Sequence, residues 1–255
     1  MKRTVLLLPL LVAALLFCAG TVGAAGLNEV INTLESPFQA SAPKAMAIYD
    51  FQGDFFQESN IASLERTQRG RGRVAVRFVP RQGHPPLAQF RWEYFEPTDQ
   101  EIVSDGRTMW VYLPENRQVI QSDIDIVNGT DANDPLTFLT GLGNLSRDFS
   151  IGWAPENRDR EGNWVLEMTP RRASPLIARM LIVVDHRAVD AFTRGGTTGG
   201  YLPLLSSTVF DPGGNSTLIK FSDIRINRGL SDADFRFIMP AGVDVVRPSG
   251  QGMGF

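Results

Sequence analysis

The 255-residue chain has a single cysteine, Cys18, and only two histidines, His84 and His186. Cys18 falls inside an apolar leader, so the chain beyond it has no disulfide or thiolate chemistry. A histidine-rich or cysteine-based metal site is excluded on the same ground. Asp123, Asp125, Asp131 and Asp134 cluster loosely but lack the glycine and terminal glutamate of a calcium loop. They read as a solvated acidic loop, and no metal or cofactor is expected. No Gly-x-x-x-x-Gly-Lys-Ser/Thr loop occurs, so any directional work must be driven by a partner. No Gly-x-Ser-x-Gly elbow occurs either, and the sequence does not read as that of an enzyme. His186, beside Asp185, reads as a turn histidine at a strand end, and His84 as loop surface. A formal net charge of −3 gives no broad attraction for nucleic acid.

What is present begins with an address. Lys2 and Arg3 precede an apolar run from Val5 to Phe17, followed by Val22-Gly23-Ala24 before Ala25, the three-part layout of a secretory signal peptide. The run is shorter than the about 20 residues of a spanning helix. Bulky Phe17 before Cys18 argues against a lipidated cysteine. Residues 1–24 therefore read as a signal peptide cleaved near Ala24, and 25–255 as one exported domain, a size at which β-rich folds of about 200 to 250 residues stay single. Asn128-Gly-Thr130, Asn144-Leu-Ser146 and Asn215-Ser-Thr217 match glycosylation acceptors, a pattern common by chance.

Leu27, Val30, Ile31 and Leu34 share one helical face, which predicts an amphipathic helix over Leu27 to Glu35. Pro43 could open a second short helix. Strand patterns then dominate. Val74, Val76 and Phe78 alternate with Arg73, Ala75 and Arg77, and Phe90, Trp92 and Tyr94 with Arg91 and Glu93, the period of two of a sheet with one apolar face. Gln100 to Ser104 and Thr108 to Leu113 form a hairpin at Asp105-Gly106. Asp134 as N-cap and Pro135 at the first helical position start a helix through Leu136, Phe138, Leu139 and Leu142, stopping at Gly143. Strands resume at Asp148 to Trp153, Asn163 to Thr169, Arg179 to Asp185, Leu204 to Phe210 and Ser216 to Ile226. In the last, Ile219 and Phe221 point opposite to Ile224 and Ile226, which predicts a bulge near Ser222-Asp223. Gly195 to Gly200 reads as a flexible loop. About ten antiparallel strands with few helices favour a strongly curved sheet or open barrel over a doubly wound fold.

The stretch from Phe90 to Val119, FRWEYFEPTDQEIVSDGRTMWVYLPENRQV, carries an aromatic-x-Trp strand, a proline, an Ile-Val-Ser-Asp-Gly hairpin and a Trp-x-Tyr strand. It resembles the core of the LolA family of periplasmic lipoprotein carriers. Phe51 to Gln57 is similar to that family's first strand, Asp134 to Leu139 to its lid helix, and Phe235 to Asp244 to its last strand and tail. The resemblance implies a half-open, incomplete antiparallel β-barrel with a helical lid over an apolar cavity. It implies a periplasmic carrier that takes triacylated lipoproteins from an inner-membrane lipoprotein-releasing ABC transporter to the outer membrane, where a receptor would accept them, and that acts as a monomer.

From the residues alone, Phe90, Trp92, Tyr94, Trp110, Phe138 and Leu139 read as dry packed core. The resemblance assigns Phe90 and Trp92 to the cavity wall and Leu136, Phe138 and Leu139 to the lid. Tyr94 and Trp110 are candidates for the same cavity, pending which sheet face is concave. The resemblance also implies an arginine that holds the lid through its backbone, here Arg77 or Arg81, with Arg77 preferred. The alternative on the same half-barrel is a periplasmic lipid- or lipoprotein-sensing regulator of the sigma-factor type.

Overall fold

The computed structural model describes residues 25–81, 84–124 and 137–247. The proposed leader with Cys18, and Asp125, Asp131, Asp134, Pro135 and Leu136, lie outside these residues. So do the side chains of Phe138 and Leu139, whose backbone is described.

Among the described residues three α-helices, α1 (Leu27–Glu35), α2 (Leu145–Asp148) and α3 (His186–Gly195), accompany twelve strands. The strands are β1 (Asp50–Ile61), β2 (Arg66–Arg81), β3 (His84–Glu96), β4 (Gln100–Ser104), β5 (Thr108–Leu113), β6 (Gln118–Asp123), β7 (Phe149–Arg158), β8 (Trp164–Pro170), β9 (Arg179–Val184), β10 (Leu204–Phe210), β11 (Ser216–Ile226) and β12 (Asp244–Val246). They form one sheet in the order β12-β6-β5-β4-β3-β2-β1-β11-β10-β9-β8-β7. Every pairing is antiparallel except that of β12 with β6.

Laid flat, twelve strands would span roughly 50 Å at about 4.8 Å each. Yet Val111 of β5 and Leu166 of β8, near opposite ends of the order, belong to one apolar cluster. The sheet must therefore curl around a shared interior. It does not close, since its two ends are different strands, β12 and β7. One device of curvature sits where the sequence pattern reversed. Between Gln52 and Asp54 the β1–β11 register slips, and Asp223 adopts a φ of 52°. One residue of β1 there opposes two of β11, the extra residue that bends a strand.

The alternation sorts the two faces. Across β1, β2, β3, β4 and β5, the rows Phe51–Val76–Phe90–Ser104–Met109 and Gly53–Val74–Trp92–Ile102–Val111 face inward. Helix α1 buries Val30 and Leu34 on this inner side and touches α3 and β7. A 3-10 turn at Ser36–Phe38 follows, setting Phe38 edge-on to Phe78 at 5.0 Å. At Pro43 a single turn forms, with Met46 and Ala47 N–H bonding the Pro43 carbonyl, in place of the short helix expected there.

Two regions differ from the sequence reading. His186 does not end a strand but opens α3, capped by buried Asp185, whose carboxylate accepts the Arg187 N–H at 2.8 Å. The signal was legible: an aspartate N-cap, Ala188, Val189 and Phe192 at helical spacing, and Gly196 with a φ of 67° as the stop. His84 likewise belongs to a strand, as the first residue of β3. The lid region is a 3-10 helix, Thr137–Asn144, continued by α2, and it does not stop at Gly143.

Candidate functional site

The inner face of β1 to β3 is an aromatic wall. Phe90 and Trp92 are fully buried and Tyr94 is half-buried. Phe55 sits edge-on to Trp92 at 4.7 Å and to Tyr94 at 4.8 Å, and Phe221 lies 6.2 Å from Trp92. Gly70 and Gly72 on β2 make room for this cluster. Gly72 stands between Phe55 and Tyr94 in the register, and a Cβ there would fall 1.8 Å from the Glu93 carbonyl oxygen. The polar tip of Tyr94 donates to Gln57 Oε1 at 2.8 Å. The structure thus brings together Phe90, Trp92 and Tyr94, three of the residues the sequence singled out.

Over this wall lies the lid segment. Leu142 and Leu145 are fully buried in the same cluster as Phe90 and Trp92. The base of the lid is fastened by a residue that the sequence reading missed. Glu35, at the end of α1 and only 7% exposed, accepts the backbone N–H of Ser146, and Arg171 Nε donates to the Ser146 carbonyl at 3.2 Å. Gly143 packs so closely on the Phe38 carbonyl that a Cβ would come within 2.9 Å of its oxygen. The clue was a carboxylate one turn after Ile31 on an apolar helix face.

The outer face carries a second construction. Residues 227 to 247 run back across the strands as a strap. Asp50, buried beneath it, accepts the N–H groups of Arg228, Gly229 and Leu230 at 2.6, 3.0 and 3.3 Å. Arg91 donates to the carbonyls of Asp234 at 2.8 Å and Arg236 at 3.0 Å. Val103, Val119 and Phe235 are buried here, apart from the inner cluster. Two hollows lie under the strap. One of about 320 Å³ is lined by Tyr49, Arg77 and Leu230. The other, of about 690 Å³, lies among Arg73, Arg91, Arg225 and Asp234.

Two expected site residues belong to this outer construction. Trp110 pairs with Val103, on the face opposite Trp92, and stacks on Phe237 of the strap at 5.8 Å, so it does not line the inner wall. Arg77 donates to Asp232 Oδ1 at 2.5 Å and to Gln89 Oε1 at 3.0 Å, and so ties down the strap, not the lid. The reason is alternation: with Val76 and Phe78 inward, Arg77 must point outward. Gln89 Nε2 donates to the same Asp232 Oδ1 at 3.1 Å, and the bonds from Gln89 and Arg77 hold the Asp232 carboxyl below its ordinary value. The Ser231 N–H and hydroxyl do the same for Asp234. Arg81 ends β2 opposite His84.

The family model described as outer membrane lipoprotein carrier protein LolA matches residues 47–194, from the entry to β1 to the last turn of α3. This chain belongs to the LolA family. The match takes in the aromatic wall and the lid, and leaves the strap outside it. Among LolA relatives, an outer-membrane lipoprotein carrier protein of Bordetella avium is 31% identical over 229 residues, covering 86% of this chain and 98% of that protein. One of Dechloromonas aromatica is 28% identical over 217 residues, covering 82% and 90%. Among solved structures, the MucA/MucB complex of Pseudomonas aeruginosa is similar at 17% identity and a TM-score of 0.42, over 86% of this chain and 62% of that one.

Proposed function

We propose that this protein is a periplasmic carrier that holds the acyl chains of lipoproteins released from the inner membrane and delivers them to the outer membrane. The observation that carries this reading is the membership of the family together with an inner wall of aromatic side chains covered by α1 and the lid segment. Exposing a methylene to water costs about 0.8 kcal/mol, so three long acyl chains would cost on the order of tens of kcal/mol in open solvent. A soluble apolar interior removes that barrier. Phe90 and Trp92 are fully covered here, so loading requires the lid and α1 to swing off the wall, exchanging protein–protein for protein–lipid contact.

In this reading Phe90, Trp92 and Tyr94 form the acyl wall and Leu136, Phe138 and Leu139 belong to the lid. With Arg77 engaged by the strap, Arg81 is the remaining candidate for a lid latch. Residues 1–24 act as the export signal, and 25–255 work as one unit. An ABC transporter that supplies lipoproteins and a receptor that takes them are the expected partners.

A release assay tests the reading. Spheroplasts incubated with the purified protein should yield soluble lipoprotein, and Phe90→Glu, which sets a charge in the wall, should abolish the yield even from the fraction that circular dichroism shows to be folded. Lipoprotein release that is equal with and without the protein would overturn it. So would tight binding to a membrane anti-sigma partner with no lipoprotein transfer, which would instead mark a regulator.

A further inference from the structure

Two buried side-chain donors have no acceptor among the described residues, the indole Nε1 of Trp92 and that of Trp164. Both belong to the inner apolar cluster. They stand on opposite halves of the curled sheet, Trp92 on β3 and Trp164 on β8. The rings beside Trp92 are those of Phe55 and Phe221, and its neighbours across the strands are Val74 and Ile102, none of which has a side-chain lone pair. Trp164 faces Val184 and stacks on Trp153 at 5.0 Å. The Arg158 guanidinium lies over its ring at 3.2 Å from the centroid and can only donate.

Buried donors of this kind find partners in folded proteins, and tryptophan is placed in cores where its N–H can reach one. Tyr94, on the same wall, obeys the rule through Gln57. Phenylalanine at 92 or 164 would fill an apolar interior without stranding a donor. The two exceptions share a face, and it is the face that the proposed cargo must occupy.

We propose that the two indole N–H groups recognise the carbonyl oxygens of the acyl chains, donating to ester or amide C=O once the lid has opened. The inference rests on the acyl-carrier reading and narrows its ligand class, from apolar chains in general to lipids whose chains are joined through carbonyls. A hydrocarbon tail has no acceptor of its own. The carbonyl at its head is the acceptor that an acyl lipid carries deepest into an apolar site. An alkyl thioether lipid of equal length offers the same apolar area, but its sulfur is only a weak acceptor, so both donors are left without a strong partner.

The test compares 1,2-dipalmitoylglycerol with its thioether counterpart, 1,2-di-S-hexadecyl-1,2-dithioglycerol, as competitors for a fluorescent fatty-acyl probe on the full chain. The ester lipid should bind about tenfold more tightly than the thioether lipid, the ratio expected for one or two neutral hydrogen bonds. Trp92→Phe with Trp164→Phe should remove that preference, so that the ester and thioether lipids bind this variant with equal affinity. Ultraviolet resonance Raman of the unaltered protein should show the indole N–H band shift with the ester lipid and not with the thioether, a readout that stands even if the double variant does not fold. Equal affinity for the two lipids, a preference that survives in the double variant, or an N–H band blind to the ester would overturn the inference and leave the carrier reading intact. Failure of the unaltered protein to bind either lipid would instead overturn the carrier reading on which it rests.

Discussion

Glu35 shows how one side chain can set the behaviour of a lid. Its carboxylate is buried and meets the Ser146 N–H, so removing it strands that donor at the first turn of α2. A hydrogen bond to a charged group contributes about 1.5 to 3 kcal/mol. Glu35→Ala should therefore lower unfolding free energy by about 2 kcal/mol in a urea titration and speed the escape of a bound acyl probe. Glu35→Gln, which keeps an acceptor oxygen, should recover most of both. Unchanged probe release in the alanine variant would show that the lid base is held by packing alone. Gly72 is the opposite case, a residue defined by the absence of a side chain. A Cβ 1.8 Å from the Glu93 carbonyl cannot be accommodated without parting β2 from β3. Gly72→Ala should cost about 3 kcal/mol or more, seen as a large loss of soluble protein or a fall in Tm.

At the scale of elements, the strap is the part whose attachment depends on charge. Asp232 and Asp234 have folded pKa values held below the ordinary carboxylate value near 3.8. For a depressed carboxyl, the stabilisation is fully present above that ordinary value and is lost as the pH falls through the lower folded value. The strap should therefore stay bound at neutral and mildly acidic pH and loosen below about 3.8. Hydrogen exchange over residues 230 to 240 should show the loosening while β8 and β9 stay protected. Asp232→Asn should blunt the transition, and release at pH 6 would contradict the assignment. Arg91→Ala removes donors to Asp234 and Arg236 and should expose Trp110 and Phe237, seen as faster exchange of the strap at neutral pH.

For the whole molecule, one inner cluster joins strands from both halves of the sheet to α1 and the lid. A shared core of that kind predicts a single cooperative unfolding transition. Phe55, in contact with Trp92 and Tyr94 at the centre of the wall, is the place to test it. Phe55→Ala should cost about 3 to 5 kcal/mol, with tryptophan fluorescence and far-ultraviolet circular dichroism shifting to the same lower denaturant midpoint. Two separated midpoints would show that the two halves of the sheet fold independently.

The sequence by itself determined what is local. Helix α1, the hairpin at Asp105-Gly106, the strands Leu204–Phe210 and Ser216–Ile226 and the bulge at Asp223 all follow from periodicity and turn chemistry within a few residues. The alternation that put Phe90 and Trp92 on one face also obliged Arg77 to point to the other, away from the lid. Tertiary structure alone decided what covers each face. Nothing near Trp110 announces that a strap more than a hundred residues later will cover it with Phe237, and Glu35 meets Ser146 across 111 positions of chain. Period and capping are properties of neighbouring residues, whereas partners so distant in sequence are chosen only when the curled sheet brings them together.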